Sequence, residues 1–150
     1  MPPTDASEEA TRKPLPLADE TTTAYWNAAR EGRLAVQYCE PCARYQHLPV
    51  DACPKCGGSE LSWKDMSGRA TLYSYTVMHD APAPGFADHL PYIVVVAELD
   101  EQENLLITTN LVDANPAELR IGLPLEATFE ELAPGEVVPQ FRPASQQRSA

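Results

Sequence analysis

The sequence predicts a mainly β protein: a short N-terminal helix, a metal-stapled ribbon, and a small, partly open barrel of five strands. Three observations lead there. Four cysteines stand in two C-x2-C pairs, Cys39 with Cys42 and Cys53 with Cys56, inside a stretch poor in large apolar side chains. From Gly68 onward, β-branched and aromatic runs alternate with turn-rich separators. The 150 residues amount to one domain's worth of chain, for which ~100–200 is usual.

Residues 1–18 are rich in Pro, Thr, Ala and acids and have no apolar period, so they are expected to form a flexible arm that cannot offset its ordering entropy. A helix is expected within 19–33. Asp19 and Thr21 can cap it, Glu20 suits its positive end, Tyr25, Trp26, Ala28 and Ala29 make one apolar stripe, and Gly32 stops it. The ribbon follows over 34–66, with one strand at 34–38 running into the first cysteine pair and another at 61–63 after the second. The barrel is expected over 67–143, with strands at 70–78, 92–99, 105–110, 125–132 and a short closing strand at 137–141. Five strands fit an OB-fold better than a sandwich, which needs ~7. An acidic hairpin loop at 100–104 and one helical turn at 115–119 complete it, and 144–150 is a flexible tail. The connection 79–91, broken by Pro82, Pro84 and Gly85, is long for a compact domain and is a candidate for function. Trp26 and Trp63 are expected at the seam between helix, ribbon and barrel.

The cysteine spacing carries the most specific chemistry. Two residues between thiolates let both sulfurs face one ion while adjacent N–H groups turn inward, and two such knuckles close a tetrahedral all-thiolate site. Cys39, Cys42, Cys53 and Cys56 therefore read as ligands of one structural Zn. The same set also fits iron, and the alternative of buried or disulfide-bonded cysteines stays open. Gly57 follows the second knuckle, where a tight turn needs φ > 0. A module this short cannot hold itself together by a core, which makes a metal staple the expected substitute.

The net charge is -11, from 22 acids against 11 bases. Residues 67–132 alone carry -9, with eleven acids against Arg69 and Arg120. That barrel lacks the cations that grip a phosphate backbone, so nucleic acid is not the expected partner. Tyr73 and Tyr75 on the first barrel strand accordingly read as core or partner contacts rather than base-stacking platforms. The apolar runs fall far short of the ~20 residues that cross a bilayer, and the acidic N-terminus has no apolar signal-peptide segment, so a cytoplasmic location is expected. Signatures of serine hydrolases, P-loop NTPases, zincins and dinucleotide-binding enzymes are absent. His79-Asp80 and Asp88-His89 flank the long loop and could form an acid/base pair; His47 lies inside the cysteine module without an evident role.

In order, the residues Tyr25-Trp26, Glu31-Gly32-Arg33-Leu34, Cys39-x2-Cys42, Leu48-Pro49, Cys53-Pro54-x-Cys56-Gly57, Leu61-x-Trp63, Ser67-Gly68-x-Ala70, Tyr73-Ser74-Tyr75-Thr76-Val77, Pro84-Gly85-Phe86, Pro91-Tyr92, Ile121-Gly122 and Phe141-Arg142-Pro143 form a pattern. It resembles a family of acyl-CoA-associated proteins that join a rubredoxin-like zinc ribbon to an OB-fold, long catalogued as a domain of unknown function. The resemblance implies a non-catalytic accessory subunit of a thiolase-like complex (thiolase, aldolase or acyltransferase), in a hetero-oligomer whose partner carries the catalytic residues. It also implies that acyl-CoA sits at a shared interface, with Trp26, Pro84, Gly85 and Phe86 near the partner or the acyl group. Two alternatives compete: a small independent enzyme using the 79–91 loop, and a nucleic-acid-binding OB module. Where the family commonly has glycine after the first knuckle this chain has Ala43, so that turn must be made without glycine.

Overall fold

A computed structural model describes residues 12–81 and 83–145 of the chain. Asp19 opens the first element. Its carboxylate accepts from the Thr22 hydroxyl at 2.9 Å and the Thr22 N–H at 2.8 Å, and its own N–H donates to Thr22 Oγ1 at 3.0 Å. The Thr22 hydroxyl, then its N–H, hold the Asp19 carboxyl below its usual range. This closed turn takes up the residues before helix α1 (Thr23–Arg30) and explains why regular helix starts later than Asp19. At the other end Gly32, at φ +73°, lets its N–H reach Ala29 O at 3.0 Å and the Arg33 N–H reach Ala28 O at 2.9 Å, the paired bonds of a Schellman stop. Tyr25, Ala28 and Ala29 are the buried face of α1.

The ribbon is a three-stranded antiparallel sheet with β1 (Ala35–Cys39) between β2 (Arg44–Gln46) and β3 (Leu61–Asp65). Its centre is buried because Leu34 and Val36 join the barrel's core cluster, with Trp26, Tyr45 and Trp63 packed at the edge of that cluster. The two tryptophans thus lie at the expected seam. Gln37, only 5% exposed, is paired at both ends of its amide: the NH2 donates to Val50 O at 2.9 Å, and the oxygen accepts from Val50 N at 2.9 Å and Gln46 Nε2 at 2.7 Å. β2 was not anticipated, since three residues carry no readable period.

The barrel runs β4 (Arg69–Met78), β5 (Tyr92–Leu99), β6 (Leu106–Leu111), β7 (Pro124–Ala133) and β8 (Glu136–Pro143), in the spatial order β4-β5-β6-β8-β7. Pairing is antiparallel except where β6 meets β8 in parallel, Leu111 opposite Phe141. The expected partly open barrel is in fact closed, because Arg69, Ala70 and Thr71 pair with Glu126, Leu125 and Pro124 of β7. Along β5 the alternation is complete: Ile93, Val95, Ala97 and Leu99 are buried and the residues between them half-buried. With Leu72, Leu105, Ile107, Leu125 and Phe141 they form the core, each large member contributing about 1.5–3 kcal/mol by leaving water. The expected turn near 115–119 is a short 3-10 helix, Pro116–Glu118, with Asn115 Oδ1 accepting from Ala117 N at 3.0 Å.

Ribbon and barrel are joined through the acidic loop 100–104. Gln102 behaves like an added strand residue: its oxygen accepts from Tyr45 N and its amide donates to Tyr45 O, both at 2.9 Å. Beside it, Glu101 Oε1 accepts from Ser67 N at 2.8 Å at the junction of the two units. Burial works against the Glu101 charge, but the Ser67 bonds outweigh it and keep the carboxyl below its usual range. Of the expected flexible arm, residues 1–11 lie outside the described residues; the rest, 12–18, has no helix or strand but is tied down through Lys13, as set out below. Of the expected tail, 146–150 lie outside the described residues, and Ala144 N still donates to Pro124 O at 2.9 Å.

Gln102→Ala strands a backbone N–H and C=O of Tyr45 and is expected to cost about 1–3 kcal/mol, read as a lower urea midpoint together with faster amide exchange at Tyr45. A second prediction concerns His47, whose Nδ1 is buried with no hydrogen-bond partner among the described residues and whose ring lies 5.4 Å from that of Tyr25. Burial pulls its pKa below 6.5. Above pH 6.5 the ring is neutral folded or unfolded and adds no pH dependence. Below it the unfolded chain takes up a proton that the folded chain refuses, so stability falls with pH by at most about 1.4 kcal/mol per unit. His47→Phe should remove that part of the slope, measured by urea midpoints at pH 7.5 and 5.5.

Candidate metal centre and aromatic groove

The two knuckles bring Cys39, Cys42, Cys53 and Cys56 together with all four Sγ atoms within 4.8 Å of one another. Cys39 Sγ lies 3.7 Å from Cys56 Sγ, and Cys42 Sγ 3.8 Å from Cys53 Sγ. Those distances are too long for a disulfide, whose sulfurs are ~2.05 Å apart. They match the roughly 3.8 Å edge of a tetrahedron of sulfurs each ~2.3 Å from a central zinc. Lys55 N–H and Gly58 N–H point at the sulfurs of Cys53 and Cys56, both at 3.4 Å, spreading part of the thiolate charge into the backbone. The N–H groups of Cys56 and Lys55 draw the Cys53 thiol down to about 6, while the neighbouring sulfurs of Cys56 and Cys39 push Cys42 up to about 12. Four thiols so crowded lose their protons together only to a cation, and the cluster fits a structural zinc ion. The turn after each knuckle is left-handed as required: Gly57 at φ +71°, and Ala43, standing in for the usual glycine, at φ +51°.

A second feature lies on the far side of helix α1. Trp26 and Phe86 line one cavity of about 210 Å³ with Lys13, Tyr25, Val138 and Gln140. Lys13, Phe86 and Gln140 also line a neighbouring cavity of about 350 Å³ that extends toward Tyr92 and Val112. Lys13 is the bolt between them. Its ammonium donates to both carboxylate oxygens of Glu130 at 3.1 Å and lies 5.3 Å from the centre of the Phe86 ring. Gln140, 3% exposed, donates to the same carboxylate at 2.5 Å, and Phe86 stacks on Tyr92 at 4.7 Å. Gly85, at φ +85°, lets the loop touch the strap: a Cβ there would lie 2.2 Å from Lys13 N. The strap at 12–14 thereby pins the long loop to β7 and β8.

Of the residues singled out by sequence, the structure brings Trp26, Gly85 and Phe86 to this groove and leaves Pro84 exposed at the loop tip. Pro82 lies outside the described residues. His79, Asp80, Asp88 and His89 are exposed, and among the described residues no hydrogen bond or ion pair joins either histidine to either aspartate. Lys13, Glu130 and Gln140 were missed. The only sequence signal near Lys13 is the change from acidic residues to Arg12-Lys13, and Glu130 and Gln140 look like ordinary strand residues.

Comparison with known proteins matches both units in chain order. Residues 26–62 match the family described as ChsH2, rubredoxin-like zinc ribbon domain, and residues 63–130 the one described as ChsH2, C-terminal OB-fold domain. A protein of Thermomonospora curvata named Probable enoyl-CoA hydratase alpha subunit is 34% identical over 138 residues, 92% of this chain and 42% of the relative. The chain thus spans less than half the length of that relative. A DUF35 domain-containing scaffold protein of Methanocaldococcus jannaschii is 30% identical over 118 residues, 77% of this chain and 82% of the relative. A chain from the solved structure of an Ltp2-ChsH2(DUF35) aldolase superposes with a TM-score of 0.79 at 34% identity, covering 87% of this chain and 99% of that one. Among the described residues no helix is long and apolar enough to cross a membrane. With its four-cysteine ribbon, its closed five-stranded barrel and a scaffold relative matched over most of its length, the chain belongs to the DUF35 family of zinc-ribbon plus OB-fold proteins.

Proposed function

We propose that this chain is a non-catalytic accessory subunit of a thiolase-like enzyme complex that acts on acyl-CoA or a related acyl substrate in the cytoplasm. The observation that carries the reading is the similarity to one chain of an aldolase assembly over 99% of that chain's length. The hydratase-subunit name of another relative supports CoA esters as the substrate class. Within the chain, Cys39, Cys42, Cys53 and Cys56 hold one structural zinc, and Trp26, Pro84, Gly85 and Phe86 form the side that faces the partner or borders its acyl group. The arm, helix, ribbon, barrel and tail divide at 18, 33, 66 and 143. The partner supplies the catalytic residues and the cations for CoA phosphates, because the barrel offers Arg69 and Arg120 against eleven acids. The same imbalance argues against nucleic acid as a ligand.

Coexpression with a thiolase-like enzyme should give a stable hetero-oligomer, the isolated chain turning over no acyl-CoA; turnover by the isolated chain, abolished in His79→Ala, would instead favour the independent enzyme. Gly85→Ala, which forces the loop off Lys13, should weaken the complex about tenfold without changing zinc content. The purified protein is expected to contain one equivalent of zinc by elemental analysis. Cys39→Ser should lose the metal and the order of the ribbon, and metal uptake by the native protein should weaken as pH falls and the thiols regain their protons.

A further inference from the structure

We infer that the outer edge of β4 over residues 73–78 receives an extended strand from the partner protein, and that this strand is flanked by Lys or Arg. The inference deepens the accessory-subunit reading and rests on it.

β4 pairs with β5 along its length, but on its other side pairing stops early. Leu72 makes the last two bonds there, its N–H to Leu123 O and its carbonyl from Gly122 N, both 2.9 Å. The register against β5 then shifts between Leu72 and Ser74, a bulge that turns the strand away from β7. Beyond it, residues 73–78 have no strand on that side among the described residues. Six residues make an edge about 20 Å long, with every second N–H and C=O facing outward.

Edges of this kind are ordinarily guarded by lysine, proline or inward charge, because an open one pairs with other chains. Residues 70–78, Ala-Thr-Leu-Tyr-Ser-Tyr-Thr-Val-Met, contain no charge, proline or glycine. Ser74 and Thr76 are exposed, and Tyr73 and Tyr75 remain 49% and 37% exposed, large aromatic side chains of the kind that anchor interfaces. In a chain carrying -11, a neutral, β-prone and unguarded edge is a place kept for a partner.

Charge selects which partner. Exposed Asp80 and Asp88 lie in the loop beyond the end of the edge; before its start, Arg69 stands on the stretch paired with β7, within 3.9 Å of Asp100, and exposed Arg120 lies two residues before Gly122, so the excess of acid is at the far end. A second copy would align an equally acidic barrel against this one and is opposed, whereas a strand with basic flanks is attracted. Main-chain bonds would supply affinity, with Tyr73 and Tyr75 supplying selectivity.

The test is amide hydrogen exchange on the full chain, free and in complex with the thiolase-like subunit with which it is coexpressed. Outward amides of 73–78 should exchange at least about tenfold more slowly in the complex. Tyr73→Lys should weaken association about tenfold, chiefly at low salt, with melting temperature and zinc content unchanged. A complex that leaves 73–78 unprotected overturns the inference and leaves the accessory-subunit reading standing. Failure to form any complex overturns both. A homodimer of the free chain that protects 73–78 would assign the edge to a second copy and equally overturn it.

Discussion

Four sulfurs held within 4.8 Å of one another are the constraint on which the ribbon depends. Unionised they are a loose cluster of weak donors, and ionised they repel; a divalent cation turns that liability into the tie that joins two distant knuckles. Its consequences reach outward. Ala43 is held in a left-handed turn that alanine avoids on its own, Gln37 is buried between the knuckle loop and β2, and Leu34, just before β1, and Val36 on it enter the barrel's core. The ribbon's own apolar content could not have supported this, so the metal takes the place of a core locally and the barrel supplies the rest.

The barrel in turn depends on contacts that cross between units. The loop at 100–104 is acidic and outwardly a plain hairpin connection, yet Gln102 pairs with the backbone of Tyr45 as a strand residue would, and Glu101 takes the Ser67 N–H at the junction. On the opposite side, the Lys13 ammonium places one of the chain's few cations against Glu130, where Gln140 completes the carboxylate's partners. Paired in this way the charge orders the strap and the aromatic loop together instead of repelling them. The acidity that remains in the barrel lies in the loops and on β5, β7 and β8, whereas β4 carries no acid and a single base, Arg69.

How much of this was legible in the sequence varies with the range of the interaction. Gly32 stops its helix as expected because a left-handed stop is a property of a few consecutive residues. β5 spans the expected 92–99 because alternation along a strand that is buried on one face is written in consecutive side chains. Trp26 and Phe86 were named together by the resemblance and meet in one groove, though no local pattern in the chain announces that contact. Composition argued for a flexible arm over 1–18; among its described residues Lys13 is paired with a residue 117 positions away, a contact no local pattern announces. β2 escaped notice because three residues with a mixed pattern are strand only by virtue of pairing with β1.

By itself the sequence determined the types of the longer elements, the four thiolate ligands and the sign of the barrel's charge, all of which depend on local periodicity, on spacing within a few residues, or on counting. Only the tertiary structure decided that the barrel closes through Arg69, Ala70 and Thr71 beside β7, that Gln102 clamps the ribbon, that a strap residue bolts the loop over the groove, and that β4 loses its neighbour after Leu72. Each of these depends on which backbone groups and side chains meet after loops of different length have closed, and such meetings leave no period in the chain to be read.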